Sequence, residues 1–247
     1  YLTLLVIFGF SLGFKKIVFP KNKIVINNID IFYGLIIILF FSLLLHFFFA
    51  LEKLKYLIFL IGILLFIFGL LKKTYKINFA YYFLIISFTT FLALPSGPNV
   101  DSPMYHLQIL KYLNLEKISF GIASLEIRFG MNSSWHSIIA LLDYKLNNFS
   151  SKFYLTSVLF GILLYEIFFE KKSGLKSNIF LFLVISYLLF FSFLHPFNNG
   201  VILNHLGNPE TDIASMFFFF ITIYIFIKNY EEFEIEENKN LINLLII

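Results

Sequence analysis

The apolar residues of this sequence fall into blocks of about 20, and a helix of that length crosses a hydrocarbon core of roughly 30 Å. Short charged segments separate the blocks. Inside lipid every backbone amide needs an internal partner, so blocks this long are expected to be helices. Strands of a transmembrane barrel would instead alternate apolar and polar residues, and no segment does so. The pattern predicts an all-α fold, a polytopic bundle of transmembrane helices with short helices in a periplasmic loop region.

The predicted helices account for most of the chain. Full spans are predicted at residues 31–51, 55–71, 77–94, 153–170, 178–195 and 212–227, and partial spans at 1–14 and 241–247. The sequence opens and stops inside apolar runs. We therefore interpret residues 1–247 as a single transmembrane domain that is truncated at both ends.

Composition narrows the class of protein further. Hydrophobic residues make up 59% of the chain and charged residues 14%, whereas a soluble domain carries about 25% charged residues. Such a chain cannot present a wettable surface. The absence of cysteine excludes disulfides and cysteine-ligated metals. The net charge of +4 comes from lysines in loops beside the spans, so it indicates topology and no nucleic-acid partner is expected.

The loops alternate in basic charge, which predicts their sidedness. Cytoplasmic loops carry an excess of lysine and arginine. One set of loops holds Lys15, Lys16, Lys21, Lys23, Lys72, Lys73, Lys76, Lys171, Lys172, Lys176, Lys228 and Lys239. The other set consists of the turn at 52–55, the long stretch 96–152 and the loop 197–210. We expect a multi-pass protein of a bacterial inner membrane, with its site on the outer face where regions 96–152 and 197–212 meet.

The start of the long outer stretch carries one candidate polar surface. On an α-helix Asp101, Tyr105, Gln108 and Tyr112 fall along one stripe, which aligns a carboxylate, two phenols and an amide. The alternative is an interfacial amphipathic helix in which Asp101 serves only as the cap. A second short helix is expected at about 133–146, too short to span.

A second candidate is Arg128, because it is the only arginine among many lysines. A position that keeps a guanidinium under such a bias is expected to need its planar fork, which grips a phosphate or carboxylate at two points. Asn132 and Trp135 follow in the same segment. The alternative is a salt bridge to Glu126 or Asp101.

A third group precedes the last full span. Asp212 is expected to cap that helix, which leaves His205 and Glu210 on the same face as Asp101 and His106. Carboxylates and imidazoles together suit a divalent metal or a proton relay. The alternative for His205 is an exposed loop histidine. We expect the carboxylates of the 101–106 and 205–212 segments to lie within about two helix diameters, roughly 20 Å.

Three further features are not expected to take part in the chemistry of the site. His46 lies near the middle of the membrane in a predicted span and is expected to bond a neighbouring helix. Glu166 is expected at the cytoplasmic interface, about a turn from Lys171. The glutamates at 231–237 are expected to form a solvated cytoplasmic loop.

Residues 101–135 contain a set of spaced polar, aromatic and glycine positions. These are Asp101, Tyr105, His106, Gln108, Lys111, Gly121, Arg128, Gly130, Asn132 and Trp135. The set resembles a group of bacterial multi-pass membrane proteins of uncharacterised function, with a weaker match at 208–212. The layout is similar to that of the GT-C class of membrane glycosyltransferases. In that class the acidic outer loop usually follows the first span, whereas here it follows at least the fourth.

The resemblance implies a function. It implies a lipid-phosphate-linked sugar donor, such as a polyprenyl-phosphate-linked sugar, and an acidic base or metal ligand at Asp101, for cell-envelope polysaccharide or glycolipid assembly. The expected catalytic residues are Asp101, His106 and Glu210, and the expected substrate-binding residues are Tyr105, Gln108, Arg128, Asn132, Trp135 and His205. A divalent metal is a candidate cofactor and membrane lipid a candidate partner. The alternatives are a transporter or flippase for an envelope lipid and a non-catalytic membrane scaffold.

Overall fold

Helices dominate the structure, a computed structural model. It describes residues 1–18, 30–71, 79–94, 102–121, 124, 127, 133–146, 149–169, 175–193, 206–209 and 211–245. The helices are α1 (Leu2–Val18), α2 (Asp30–His46), α3 (Lys55–Leu71), α4 (Phe79–Ala93), α5 (Leu107–Leu115), α6 (Ser134–Leu141), α7 (Leu155–Phe169), α8 (Leu175–Phe193) and α9 (Asp212–Leu245). A two-residue antiparallel ladder pairs β1 (Lys145–Leu146) with β2 (Phe149–Ser150). The all-α prediction is confirmed apart from this ladder.

Hydropathy located the long helices closely. The predicted span 55–71 coincides with α3, and 77–94 contains α4. The predicted span 31–51 runs too far, because α2 ends at His46 and a 3-10 turn follows at Leu51–Lys53. Apolar residues 47–50 lie in that connection, so hydropathy could not mark the end of the helix.

The last helix corrects two predictions. We expected a solvated loop at 231–237 and a separate partial span at 241–247, but α9 continues as one helix from Asp212 to Leu245. Glutamate, lysine and leucine are good helix formers, and no glycine or proline interrupts the segment. Polar composition alone therefore does not end this helix.

Glycines set the packing of the first three helices. α1 packs most extensively on α3 and then on α2. A Cβ on Gly9 would fall on the carbonyl oxygen of Gly62, and a Cβ on Gly34 would fall on the carbonyl oxygen of Ile7. A Cβ on Gly62 would lie 2.9 Å from the Val6 Cα. The three backbones therefore approach as closely as glycine permits, which is how helices commonly associate in membranes.

The second half of the bundle is joined by a buried ion pair. α4 packs on α7, and α9 packs on both α7 and α8. Glu166 is buried, and its carboxylate accepts hydrogen bonds from Lys228 Nζ and from the Tyr224 hydroxyl, each at 3.1 Å. Glu166 lies three residues before the end of α7, and the sequence did not predict its pairing with Lys228. Its partner comes from α9 because the two helices bring these side chains together inside the bundle.

Large apolar side chains are exposed on the surface of the helices. Phe40 of α2, Phe182 of α8 and Phe226 of α9 are 63%, 70% and 72% exposed. Within the described ranges, the helical segment Asp212–Glu231 has the length and apolar composition needed to cross a membrane, with a mean hydropathy of 1.6. Other apolar helical stretches there are 10–17 residues long by the same measure.

We predict that Gly9→Ala lowers the free energy of unfolding by about 2 kcal/mol or more, because the new methyl group meets the backbone of α3 and overpacking of this kind costs about 1–3 kcal/mol. Gly13→Ala is the matched control one turn along α1. The atoms nearest to its methyl group would belong to the Leu65 side chain, at 3.0 Å and beyond, and that side chain can turn aside. Denaturant titration of both purified variants measures the difference. Equal stabilities would contradict the glycine contact.

Candidate functional site

The first of the two segments predicted to face outward begins its described part with a π-helical turn at Ser102–His106 that leads directly into α5. π-turns shift the phase of a helix and are frequent at functional sites. Asp101 of the predicted stripe lies outside the described residues, and Tyr105 and Gln108 lie off the buried face of this segment. Ser102 and His106 are buried, whereas Gln108 is exposed and Tyr105 is half-buried.

The second short helix, α6, carries the partner of His106. Ser133 caps α6 by accepting a hydrogen bond from the Trp135 amide at 3.2 Å, as serine does at many helix starts. His136 follows and is 1% exposed. Nδ1 of His106 lies 2.9 Å from Nε2 of His136, so the two rings share a hydrogen bond across the α5–α6 contact.

This bond limits the protonation of the pair. One ring nitrogen must donate and the other must accept, so both rings cannot be cationic with the bond intact. Burial lowers the pKa of His136 to about 4, and the neighbouring His106 ring acts in the same direction. The Pro209 carbonyl opposes both effects on this pKa, although Nδ1 of His136 completes no hydrogen bond of good geometry with a described residue. At neutral pH His136 is therefore uncharged, and the pair takes up at most one extra proton.

The second outer segment meets the first at Asn208. The Ser102 hydroxyl donates to Oδ1 of Asn208 at 3.3 Å, and the Thr156 hydroxyl of α7 donates to the Asn208 carbonyl at 3.4 Å. All three residues are buried. Residues 102–106, 136 and 206–209 thus form one polar cluster, which we call the outer cluster after the side of the membrane predicted for its segments.

His46 fixes the far end of α5. It is the last residue of α2, so it lies at a helix end and not inside the helix that was predicted over 31–51. Its Nε2 lies 3.0 Å from the Glu116 carbonyl, and its own carbonyl accepts from the Ile118 amide at 3.0 Å. The residue therefore ties the segment after α5 to α2, a structural contact of the kind expected.

The predicted site residues fall into two sets. Tyr105, His106, Gln108 and Trp135 belong to the part of the chain that the structure describes. The others lie outside the described residues, namely Asp101, Arg128, Asn132, His205 and Glu210. Trp135 is 4% exposed, and its ring packs on Phe218 of α9 at 5.8 Å between centroids. The predicted contact between the two outer segments is visible in their described neighbours, Ser102 and Asn208.

Two residues of the outer cluster, His136 and Asn208, were not predicted as site residues, although both lie in or beside the motifs. His136 stands beside Trp135 in the motif, and Asn208 lies in the weaker match at 208–212. Two histidines in one outer segment suggest a pair only once the helix packing is known. Among the described residues, no group of three or more histidine and acidic side chains is placed to hold a metal ion.

A pH titration tests the state of the His106–His136 pair. His136 has a folded pKa of about 4 against an ordinary value of 6.5, so the unfolded chain binds more protons in that range. The stabilising contribution is present above about pH 6.5 and is lost as pH falls toward 4, by up to about 3 kcal/mol. We predict that His136→Gln removes this part of the pH dependence of unfolding. Ser137→Ala, beside it on α6, should keep the wild-type slope, and an unchanged slope in His136→Gln would contradict the assignment.

Comparison with known proteins identifies the chain at the level of a family. No curated protein and no solved structure matches the sequence. One family profile does match it, over residues 1–247, and it is described as a domain of unknown function. On that match the chain belongs to the DUF8201 family.

Proposed function

We propose that the chain crosses a bacterial inner membrane several times, with the outer cluster on the periplasmic side. Two features support this arrangement. Exposed apolar side chains such as Phe40 and Phe226 would lie against lipid, since water does not accommodate so large an apolar surface. The glycine contacts among α1, α2 and α3 suit a medium in which helices associate by close backbone packing.

Within this arrangement the chain acts as a glycosyltransferase-like enzyme of envelope polysaccharide or glycolipid assembly, using a lipid-phosphate-linked sugar. The observation that carries the proposal is the hydrogen bond from Ser102 to Asn208, which brings the two outer segments together. Asp101 is the chain neighbour of Ser102, and Glu210 follows Asn208 by two residues. Both predicted acids therefore belong to segments that meet.

The chemistry assigned to this site is transfer of a sugar to a hydroxyl. The Asp101 carboxylate takes the proton of the acceptor hydroxyl, and the oxygen of that hydroxyl bonds to the sugar carbon. The bond between that carbon and the phosphate oxygen breaks, and its electron pair remains on the lipid phosphate. Arg128 stabilises the phosphate charge with its bidentate fork. His106, which shares a hydrogen bond with His136, is assigned a supporting role in this transfer.

A single conservative change tests the role of Arg128. We predict that Arg128→Lys leaves membrane abundance unchanged but lowers function at least about tenfold, because an ammonium group cannot hold a phosphate at two points. Tenfold corresponds to about 1.4 kcal/mol, within the range for hydrogen bonds to charged groups. Complementation of an envelope-polysaccharide defect, measured beside membrane abundance, gives both quantities.

The matched control is Lys117→Arg, a conservative change of an exposed cation after α5. It should leave complementation unchanged. Full activity of Arg128→Lys at normal abundance would reduce Arg128 to an ordinary loop cation and remove the phosphate role from the proposed function.

A further inference from the structure

α7 connects the outer cluster to the opposite end of the bundle. Thr156, the second residue of α7, donates a hydrogen bond to the Asn208 carbonyl of the outer cluster at 3.4 Å. Glu166, ten residues further along α7, accepts a hydrogen bond from Lys228 Nζ at 3.1 Å. At the rise of an α-helix these two positions are roughly 15 Å apart. α7 therefore makes a polar contact near each of its ends.

The partners of these two contacts belong to one continuous part of the chain. α9 begins at Asp212, four residues after Asn208, and Lys228 lies further along the same helix. A packed helix moves largely as a rigid element. A shift of α9 along its axis would therefore move the Asn208 segment as well as Lys228.

Apolar side chains meet between the two polar contacts. Phe160 of α7 stacks on Phe217 of α9, with 5.6 Å between the ring centroids. Phe217 and Ile221 of α9 are buried. Apolar contacts are non-directional, so they hold two helices together without selecting one position along the axis. Fixing the register between helices is the best-attested use of a buried polar group.

The Glu166–Lys228 pair has the burial that this role requires. The two side chains are 5% and 13% exposed, and Tyr224 of α9 donates to the same carboxylate at 3.1 Å. Among the described residues, Glu166 is the acid that pairs with Lys228. Without this carboxylate an ammonium group would be left in apolar surroundings, which is costly. A lysine relieves that cost by moving its charge toward water, and here the movement would pull on α9.

We infer that the Glu166–Lys228 pair fixes the position of α9 along α7 and thereby holds residues 206–209 against Ser102. Glu166 is then a positioning residue of the outer cluster, although it lies near the other end of α7. The inference goes beyond the proposed function, because it holds whatever chemistry the outer cluster performs.

Disulfide formation at the outer cluster measures this position without turnover. The chain has no cysteine, so Ser102→Cys with Asn208→Cys provides the only two thiols, at side chains that lie 3.3 Å apart. The rate of disulfide formation with a small oxidant is measured in this background. We expect Glu166→Gln to slow it at least about tenfold, because the amide keeps the shape of the carboxylate but leaves the Lys228 charge uncompensated.

Removal of both charges separates charge pairing from a simple loss of contacts. Glu166→Gln with Lys228→Met leaves neither charge of the pair, so we expect the rate to return to within about threefold of the background. Tyr224→Phe is the matched control, since it removes a neutral hydrogen bond to the same carboxylate and leaves the ion pair. It should also stay within about threefold.

The buried Trp135, the only tryptophan of the chain, reports by its emission whether each variant is folded. Glu166→Asp decides if Glu166→Gln fails to fold, because it keeps the charge and withdraws the carboxylate by one methylene group. We expect it to slow disulfide formation at least about threefold. An unchanged rate in either variant would overturn the inference. So would a double variant as slow as Glu166→Gln, or a Tyr224→Phe variant slowed to the same extent, since both indicate a loss of contacts alone.

Discussion

A buried hydrogen bond between two imidazoles joins the short helices on which the outer cluster is built. Nδ1 of His106 on the π-turn lies 2.9 Å from Nε2 of His136 on α6. α5 has nine residues and α6 has eight, and helices shorter than about 12–15 residues are marginal in water on their own. Their packing on each other and on the long helices therefore maintains them. The position of Ser102, and with it the contact to Asn208, depends on that packing.

Sequence reasoning succeeded where one physical quantity dominates. Long apolar blocks predict helices, and the bounds of α3, α4 and α7 came within about two residues of the predicted spans, the usual scatter of helix ends. Sequence reasoning failed where a run of polar residues suggested that a helix ends, because helix propensity and contacts with other helices can continue the helix. α9 continues through its glutamates, and Glu166 is buried against Lys228 because the packing of α7 on α9 supplies a partner. Such a partner cannot be identified from the neighbouring sequence.

The sequence predicted which two segments form the candidate site, but it did not predict which of their residues are in contact. Charge asymmetry placed regions 96–152 and 197–212 on one face, and the hydrogen bond from Ser102 to Asn208 joins them. Tyr105 and Gln108 of the predicted stripe lie off the buried face of their segment. The sequence did not predict that His106 would be buried on the other side. His136 needed the contact between α5 and α6 before its role could be stated.

The central claim is that the two outer segments form one site, and a cross-link tests it most directly. The chain has no cysteine, so a Ser102→Cys, Asn208→Cys pair would carry the only thiols. With a small oxidant, the account predicts an intramolecular disulfide between the 102 and 208 positions, because the two side chains are in direct contact. The control pair Ser102→Cys, Lys171→Cys, predicted on opposite faces, should give none. Absence of the 102–208 cross-link, in a pair whose thiols both react with a monofunctional reagent, would contradict the account.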